Sequence, residues 1–204
     1  MTSTVLTSAA ERIAHLALEQ FAEHGYDAAS LNDIAVRAGI KKASLYAHFA
    51  SKDALYVAVL ELALRAERDY VQSQFAKNAR SIKAPGEVYL NNLQRRHSSA
   101  NESLRFLLRA AFYPPTPLRD VVMSGFNDYM ATIRSHFQQA LLKSYPDIDE
   151  QTLEVLAEAY LVMIDSLHVE LTYGDAQAYS RRLEALQRLA RAVGYAEIIR
   201  RLRG

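Results

Sequence analysis

The 204-residue sequence contains no cysteine, only seven glycines and five prolines, and no long apolar segment. The absence of cysteine excludes disulfides, thiolate metal ligands and cysteine nucleophiles. Half of the residues are hydrophobic, which together with so few glycines and prolines favours ordered helices over disorder. The most apolar run, residues 159–164, lies between Glu158 and Asp165, so no membrane span is predicted. Residues 1–10 lack the apolar core of an export signal, and we therefore expect a cytoplasmic protein.

Sequence motifs of enzymes are also missing. The chain has no glycine-rich phosphate loop, no Gly-x-Ser-x-Gly elbow and no His-Glu-x-x-His pair. Paired Glu-x-x-His motifs, which a di-metal helical bundle requires, are absent as well. We therefore expect a protein that is not an enzyme and that uses no metal or other cofactor. The net charge of +1 does not decide whether the partner is a nucleic acid, because a DNA-binding protein needs positive charge only along its contact surface.

Helical periodicity extends along almost the whole chain and predicts an all-α fold of about nine helices. Residues 1–51 are expected to form an N-terminal domain of three helices, and residues 52–204 a second helical domain. The helix predicted from Asp149 to Tyr173 is apolar on two sides, since Ala159, Val162 and Val169 lie opposite its main apolar face. A helix that is apolar on two sides must be covered on both. A second copy of the chain is therefore expected to cover one of them, giving a homodimer.

The segment from Ser30 to Tyr56 predicts two short helices joined by a glycine turn. Ser30 can cap the first helix, which Gly39 ends by adopting a positive φ. The second helix, from about Lys42 to Ala50, is expected to bury Leu45 and Phe49 and to expose a face of small residues. A helix with such a face can enter the major groove of DNA, so the segment predicts a helix-turn-helix.

The stretch AGIKKASLYAHFASKDALY resembles the DNA-binding signature of the tetracycline-repressor (TetR) family of bacterial transcription regulators. The resemblance covers roughly residues 7–56 and extends beyond them only in length and helical character. It implies a repressor that binds a palindromic operator in double-stranded DNA as a homodimer and is released by a small-molecule ligand. A regulator that responds to a protein partner, or to no ligand at all, remains the alternative.

Eight residues are candidates for contact with DNA. The small residues suit thymine methyl groups, the hydroxyl and ammonium groups suit base edges or phosphates, and three positions match phosphate-binding positions of the family. The candidates are Ser30, Lys42, Ala43, Ser44, Tyr46, Ala47, His48 and Lys52. Five of them also have a structural explanation: Ser30 as a helix cap, Tyr46 as a packing residue, His48 as a cap of local carbonyls, and the two lysines as ordinary surface residues.

The resemblance also implies a ligand cavity in the C-terminal domain, where the effector is unknown. Aromatic and methionine side chains at helical spacing are candidates to line it, although such residues are more often plain core. Asp165 and His168 are expected to point the same way and could recognise the ligand; alternatively, His168 is a buried core histidine satisfied by Asp165 or by a carbonyl. No second pair of this kind is present to complete a metal site. The candidates are Phe106, Phe112, Phe126, Met130, Tyr160, Met163, Asp165 and His168.

Overall fold

The computed structural model describes residues 7–81, 83–98 and 102–202. The described residues form ten α-helices and one short 3₁₀ turn, with no strand among them, which confirms the predicted all-α class. None of these helices is long and apolar enough to cross a membrane. In chain order they are α1 Ser8–Ala28, α2 Leu31–Arg37, α3 Lys42–His48, α4 Lys52–Asn78, α5 Glu87–Ser98, α6 Ser103–Phe112, the 3₁₀ turn Thr116–Leu118, α7 Arg119–Ser144, α8 Glu150–Tyr173, α9 Ala176–Val193 and α10 Tyr195–Leu202.

The structure has one helix more than the sequence predicted. The additional helix, α10, follows Gly194, whose φ of 62° breaks the helical backbone between α9 and α10. Helix α1 is interrupted at Gly25, whose φ of 77° is not helical, and a short helical segment continues to Ala28. The two short helices predicted after Ser30 and the helix predicted from Asp149 to Tyr173 lie where the sequence placed them, with ends shifted by at most a few residues.

By residue packing, the chain divides into two units. The first unit comprises Met1–Glu67 and Ala100–Asn127, and the second comprises Arg68–Ser99 and Asp128–Gly204. Helices α4 and α7 contribute residues to both. The predicted division into a DNA-binding domain of residues 1–51 and a second domain of residues 52–204 stays a prediction.

The first unit is built around α1, which packs against α2 and α6. Aromatic rings fill its centre: the ring of Tyr56 lies 4.9 Å from that of Phe21 and 5.1 Å from that of Phe106, centroid to centroid. All three side chains are buried, so each removes a large apolar area from water. This core joins the start of α4 to α1 and α6, and thereby fixes the helices on either side of α3.

The second unit packs α8 against α9 and places α5 against both. In this unit Phe137 and Tyr160 stack with parallel rings at a centroid distance of 4.0 Å. The Tyr160 hydroxyl donates a hydrogen bond to the carbonyl of Gly86 at 2.9 Å. Tyr89 and Tyr129 share a buried hydroxyl–hydroxyl hydrogen bond of 2.6 Å. Buried phenols are thus hydrogen-bonded inside this core, as burial of a polar group requires.

Candidate nucleic-acid interface

Helix α3 exposes one continuous surface. Leu45, within the helix, and Phe49, immediately after it, are buried and hold the helix against the first unit. Every other residue of α3 is exposed, and Tyr46 is 45% accessible. The six exposed positions are Lys42, Ala43, Ser44, Tyr46, Ala47 and His48, all of them predicted DNA contacts. We call these six residues the α3 surface.

The turn before α3 has the geometry that the sequence predicted. Gly39 has a φ of 70°, a left-handed conformation that costs glycine little and other residues more. At the other end of α2, the hydroxyl oxygen of Ser30 accepts a hydrogen bond from the backbone N–H of Asp33 at 3.2 Å. Arg12 on α1 donates to the carbonyl of Ala38 at 3.2 Å. These contacts fix α2 and the turn, and so set the direction in which α3 projects.

The positively charged residues near α3 differ in whether an acidic side chain of the protein balances their charge. Arg37 forms an ion pair with Glu19, so its charge is largely balanced within the protein. Lys41 and Lys42, at the start of α3, are both exposed. Exposed ammonium groups beside an accessible helix can attract a polyanion at little desolvation cost. The positive charge that remains available is therefore concentrated at the amino end of the α3 surface.

Lys52 at the start of α4 has a local role that the sequence did not reveal. Its Nζ donates to the carbonyl of Asp27 at 3.1 Å and lies 4.8 Å from the centre of the Tyr26 ring. Tyr26 in turn donates to Asp53, and this hydrogen bond raises the pKa of Tyr26 to about 12. Because an ammonium group has three N–H donors, Lys52 can keep its contact with Asp27 and still donate to a phosphate.

The eight candidate ligand residues are divided between the two units. Phe106, Phe112 and Phe126 belong to the first unit, and the other five belong to the second. Phe106 is buried in the aromatic core described above, whereas Phe112 and Phe126 are half-buried. Phe106 and Phe112 both line a cavity of about 700 Å³ in the first unit.

In the second unit, the structure separates the expected Asp165 and His168 pair. Asp165 is exposed, whereas His168 is completely buried with its ring stacked on that of Tyr129. Met130 and Tyr160 are also buried. Met163 lines a mostly apolar cavity of about 230 Å³ that includes Leu90 and Leu186. Whether any of these five contacts a ligand stays a prediction.

Burial of His168 predicts a pH-dependent stability. Burial, with a smaller contribution from His97, lowers the pKa of His168 to about 3. The unfolded chain therefore binds the proton near pH 6.5 while the folded chain does not, and stability must fall as the pH drops below that value. We expect His168 to account for a loss of about 2 kcal/mol in the free energy of unfolding between pH 7 and pH 5. Urea titrations at the two pH values and one protein concentration measure it.

The His168→Leu variant separates this contribution from those of other groups. Its stability difference between pH 7 and pH 5 should be smaller than that of the wild type by most of those 2 kcal/mol. His15→Leu changes an exposed histidine of α1 and should retain the wild-type difference. An unchanged pH dependence in His168→Leu would show that His168 is protonated equally in the folded and unfolded chains.

Sequence reasoning missed the composition of the cavity in the first unit. The cavity is lined by the end of α1, the start of α4, the end of α6 and residues 113–119, including Arg109 and Arg119. We call it the arginine cavity. Arg109 lies on the exposed side of α6, but nothing in the sequence connects it to Gly25 on α1. Only the packing of α1 on α6 brings the two together.

Comparison with known proteins adds an independent observation on the segment that contains α2 and α3. Residues 13–59 match the family model described as bacterial regulatory proteins, tetR family. The HTH-type transcriptional activator FasR of Mycolicibacterium smegmatis is 53% identical over 45 residues, which cover 22% of this chain and 20% of FasR. The biofilm operon icaADBC HTH-type negative transcriptional regulator IcaR of Staphylococcus aureus is 50% identical over 46 residues, 22% of this chain and 25% of IcaR. These matches thus span only a fifth to a quarter of either relative.

A solved structure extends the likeness to the whole fold. A transcriptional regulator (TerR/AcrR family) from Aquifex aeolicus VF5 superimposes with a TM-score of 0.61 at 23% identity. The superposition covers 89% of this chain and 99% of the other. At that identity the likeness concerns the fold, and it includes the N-terminal helix-turn-helix and the helical C-terminal part.

Proposed function

We propose that this chain is a DNA-binding transcriptional regulator of the tetR family, because residues 13–59 match the family model of those bacterial regulatory proteins. In this proposal it binds a palindromic operator as a homodimer in the cytoplasm, represses the adjoining gene, and is released by a small molecule. DNA binding is supported most directly by the α3 surface. A helix held by Leu45 and Phe49, with its six other side chains accessible, has the shape that major-groove recognition requires.

The α3 surface divides by chemistry into two groups. Ala43, Ser44 and Ala47 are small, so they allow the helix backbone close to the base edges, where methyl groups and a hydroxyl can contact thymine methyls and polar base atoms. Tyr46 and His48, on the flanks, carry hydrogen-bonding groups suited to phosphate oxygens, which position a protein on the duplex. Ser30 and Lys52 are proposed to add phosphate contacts at the starts of α2 and α4.

Homodimer formation is supported by an apolar stripe on α8. Val155, Val162 and Val169 are spaced seven residues apart, Tyr173 follows by one turn, and all four are exposed. We call these four residues the α8 stripe. Exposed apolar side chains that repeat every two turns are typical of a helix that packs against another helix. A second copy of the chain would cover the stripe symmetrically and present two α3 surfaces to two half-sites.

Release by a small molecule is proposed to involve the second unit. Its 230 Å³ cavity is lined by Met163 and by mostly apolar neighbours, so it suits a small apolar ligand rather than an ion. A ligand that binds better to the state with low DNA affinity would shift the population towards that state. Addition of a metabolite extract to the protein–DNA complex tests this; release of DNA by no fraction of the extract would favour the ligand-independent alternative.

Whether the protein represses or activates transcription is tested separately from DNA binding. The matched segments belong to one activator and one negative regulator, so the likeness to them does not decide between activation and repression. We propose repression, and a reporter gene placed behind the selected operator should be expressed less when the protein is present. Increased expression would reverse this part of the proposal and leave the DNA-binding part intact.

The primary experiment is selection of bound sequences from random double-stranded DNA with the purified protein. We expect an enriched inverted repeat, bound with a strong dependence on salt. If a dimer neutralises about six phosphates, the slope of log K against log salt concentration should be about −5. Fluorescence anisotropy at several salt concentrations measures the slope. Enrichment of no sequence, together with a slope close to zero, would contradict the proposed function.

A further inference from the structure

The arginine cavity has the size and lining of a small-molecule site, and it lies in the unit that carries α3. Its volume of about 700 Å³ falls within the range of roughly 300–1,000 Å³ that ligand pockets occupy. We propose that it binds an aromatic carboxylate, with the carboxylate held by Arg109 and Arg119 and the ring placed on the aromatic wall of the cavity. This site is separate from the cavity proposed above for release from DNA.

The aromatic wall is already ordered in the folded protein. The lining contains the half-buried or exposed aromatic residues Tyr26, Phe112 and Tyr113, together with the buried ring cluster of Phe21, Tyr56 and Phe106. The lining also contains Pro114, Pro115 and Pro117, whose fixed φ angles limit the motion of this segment. An ordered wall and rim lower the entropy cost of binding a planar ligand.

The charge in the cavity favours an anion. The lining contains two guanidinium groups, of Arg109 and Arg119, and one carboxylate, of Asp27. Within the described residues, neither arginine is in an ion pair with a carboxylate. A guanidinium presents N–H groups in a planar fork that matches the two oxygens of a carboxylate. The two arginines therefore specify the charge of the ligand and favour a planar anionic group.

Arg109 is positioned by the backbone of α1. Its Nη1 donates to the carbonyl of Glu23 at 3.3 Å, and a Cβ placed on Gly25 would lie 2.9 Å from its Nε. Glycine at position 25 is thus required for the guanidinium to lie so close to the end of α1. One contact to Glu23 leaves most of the five guanidinium N–H groups available for a ligand. Burial raises the pKa of Tyr56, and the charge of Arg109 offsets part of that increase, as expected if the guanidinium lies beside the aromatic wall.

The experiment titrates the full-length protein with 2-naphthoate in the absence of DNA. The chain contains no tryptophan, so naphthalene emission can be excited outside the tyrosine band. We expect saturable binding of 2-naphthoate, and binding at least about tenfold weaker for the neutral 2-naphthamide, which loses the charge-assisted hydrogen bonds. Since no DNA is present, the result is independent of the proposed regulatory function.

Three arginine variants locate the site. Arg109→Gln and Arg119→Gln should each weaken binding of 2-naphthoate by about tenfold or more. Arg105→Gln is the matched control, because Arg105 lies on the same helix, pairs with Glu102 at 3.2 Å and does not line the cavity; its affinity should equal that of the wild type. Circular dichroism checks folding, and if Arg109→Gln fails to fold, Arg119→Gln decides, because Arg119 is exposed. Absence of saturable binding, equal affinity for acid and amide, or wild-type affinity in Arg119→Gln would each overturn the proposal.

Discussion

The Ala47→Glu variant should lose at least roughly 100-fold in affinity for the selected operator. Ala47 is exposed in the last turn of α3, four residues after Ala43 and three after Ser44, and thus lies on the face proposed to approach the bases. A carboxylate there would face the negative potential of the groove, and a longer side chain would hold α3 away from the base edges. Juxtaposed like charges cost several kcal/mol, and each 1.4 kcal/mol is about tenfold in affinity. Anisotropy titration with labelled operator measures the loss.

The Ala47→Glu substitution should leave the free energy of unfolding almost unchanged. A loss of operator affinity would therefore report on DNA contact and not on misfolding. An exposed helical position tolerates exchange of alanine for glutamate within about 0.5 kcal/mol. The matched control is Ala76→Glu, the same change at an exposed position of α4 in the second unit; its operator affinity should match that of the wild type. If Ala47→Glu and Ala76→Glu bound the operator equally well, the α3 surface would not be the DNA-contacting surface.

The local part of this structure could be predicted from the sequence because short-range rules determine it. The cap at Ser30, the turn at Gly39 and the buried positions of Leu45 and Phe49 each depend on residues fewer than ten positions apart. Helical periodicity specifies which face of a segment is apolar without reference to the rest of the fold. The exposed positions of α3 follow from the same pattern, since they are the residues that the apolar face leaves out.

Features that depend on distant residues could not be predicted in this way. The contact of Lys52 with Asp27 joins residues 25 positions apart, and that of Arg109 with Glu23 joins residues 86 apart. His168 lies on an apolar helical face, but whether Asp165 accompanies it into the core depends on the elements packed around α8. The arginine cavity arises in the same way, from three segments that are separate in the sequence: the end of α1, the start of α4, and the end of α6 with the residues that follow it. Periodicity gives the face of each helix, while the partner of that face is decided by tertiary packing.

The Val162→Arg variant should disrupt the proposed homodimer. Val162 is 66% exposed in the single chain and lies near the middle of the α8 stripe. In a symmetric interface each substitution occurs twice, so two buried valines are lost and two positive charges are brought together. Removing a buried valine costs about 1.5 kcal/mol or more, and burial of unpaired charge adds to this. We expect the dissociation constant of the dimer to rise by at least roughly 100-fold, measured by analytical ultracentrifugation.

DNA binding should weaken with the dimer, because a monomer presents one α3 surface to one half-site. At protein concentrations below the new dissociation constant, the salt slope should fall to about half of the wild-type value, since half of the phosphates are neutralised. Leu142→Arg is the matched control: Leu142 is a 42% exposed apolar residue of α7 in the same unit and lies outside the α8 stripe. It should remain dimeric with full operator affinity. A dimeric Val162→Arg protein would show that the α8 stripe is not the dimer interface. A wild-type protein that binds its operator as a monomer would contradict the proposed homodimer itself.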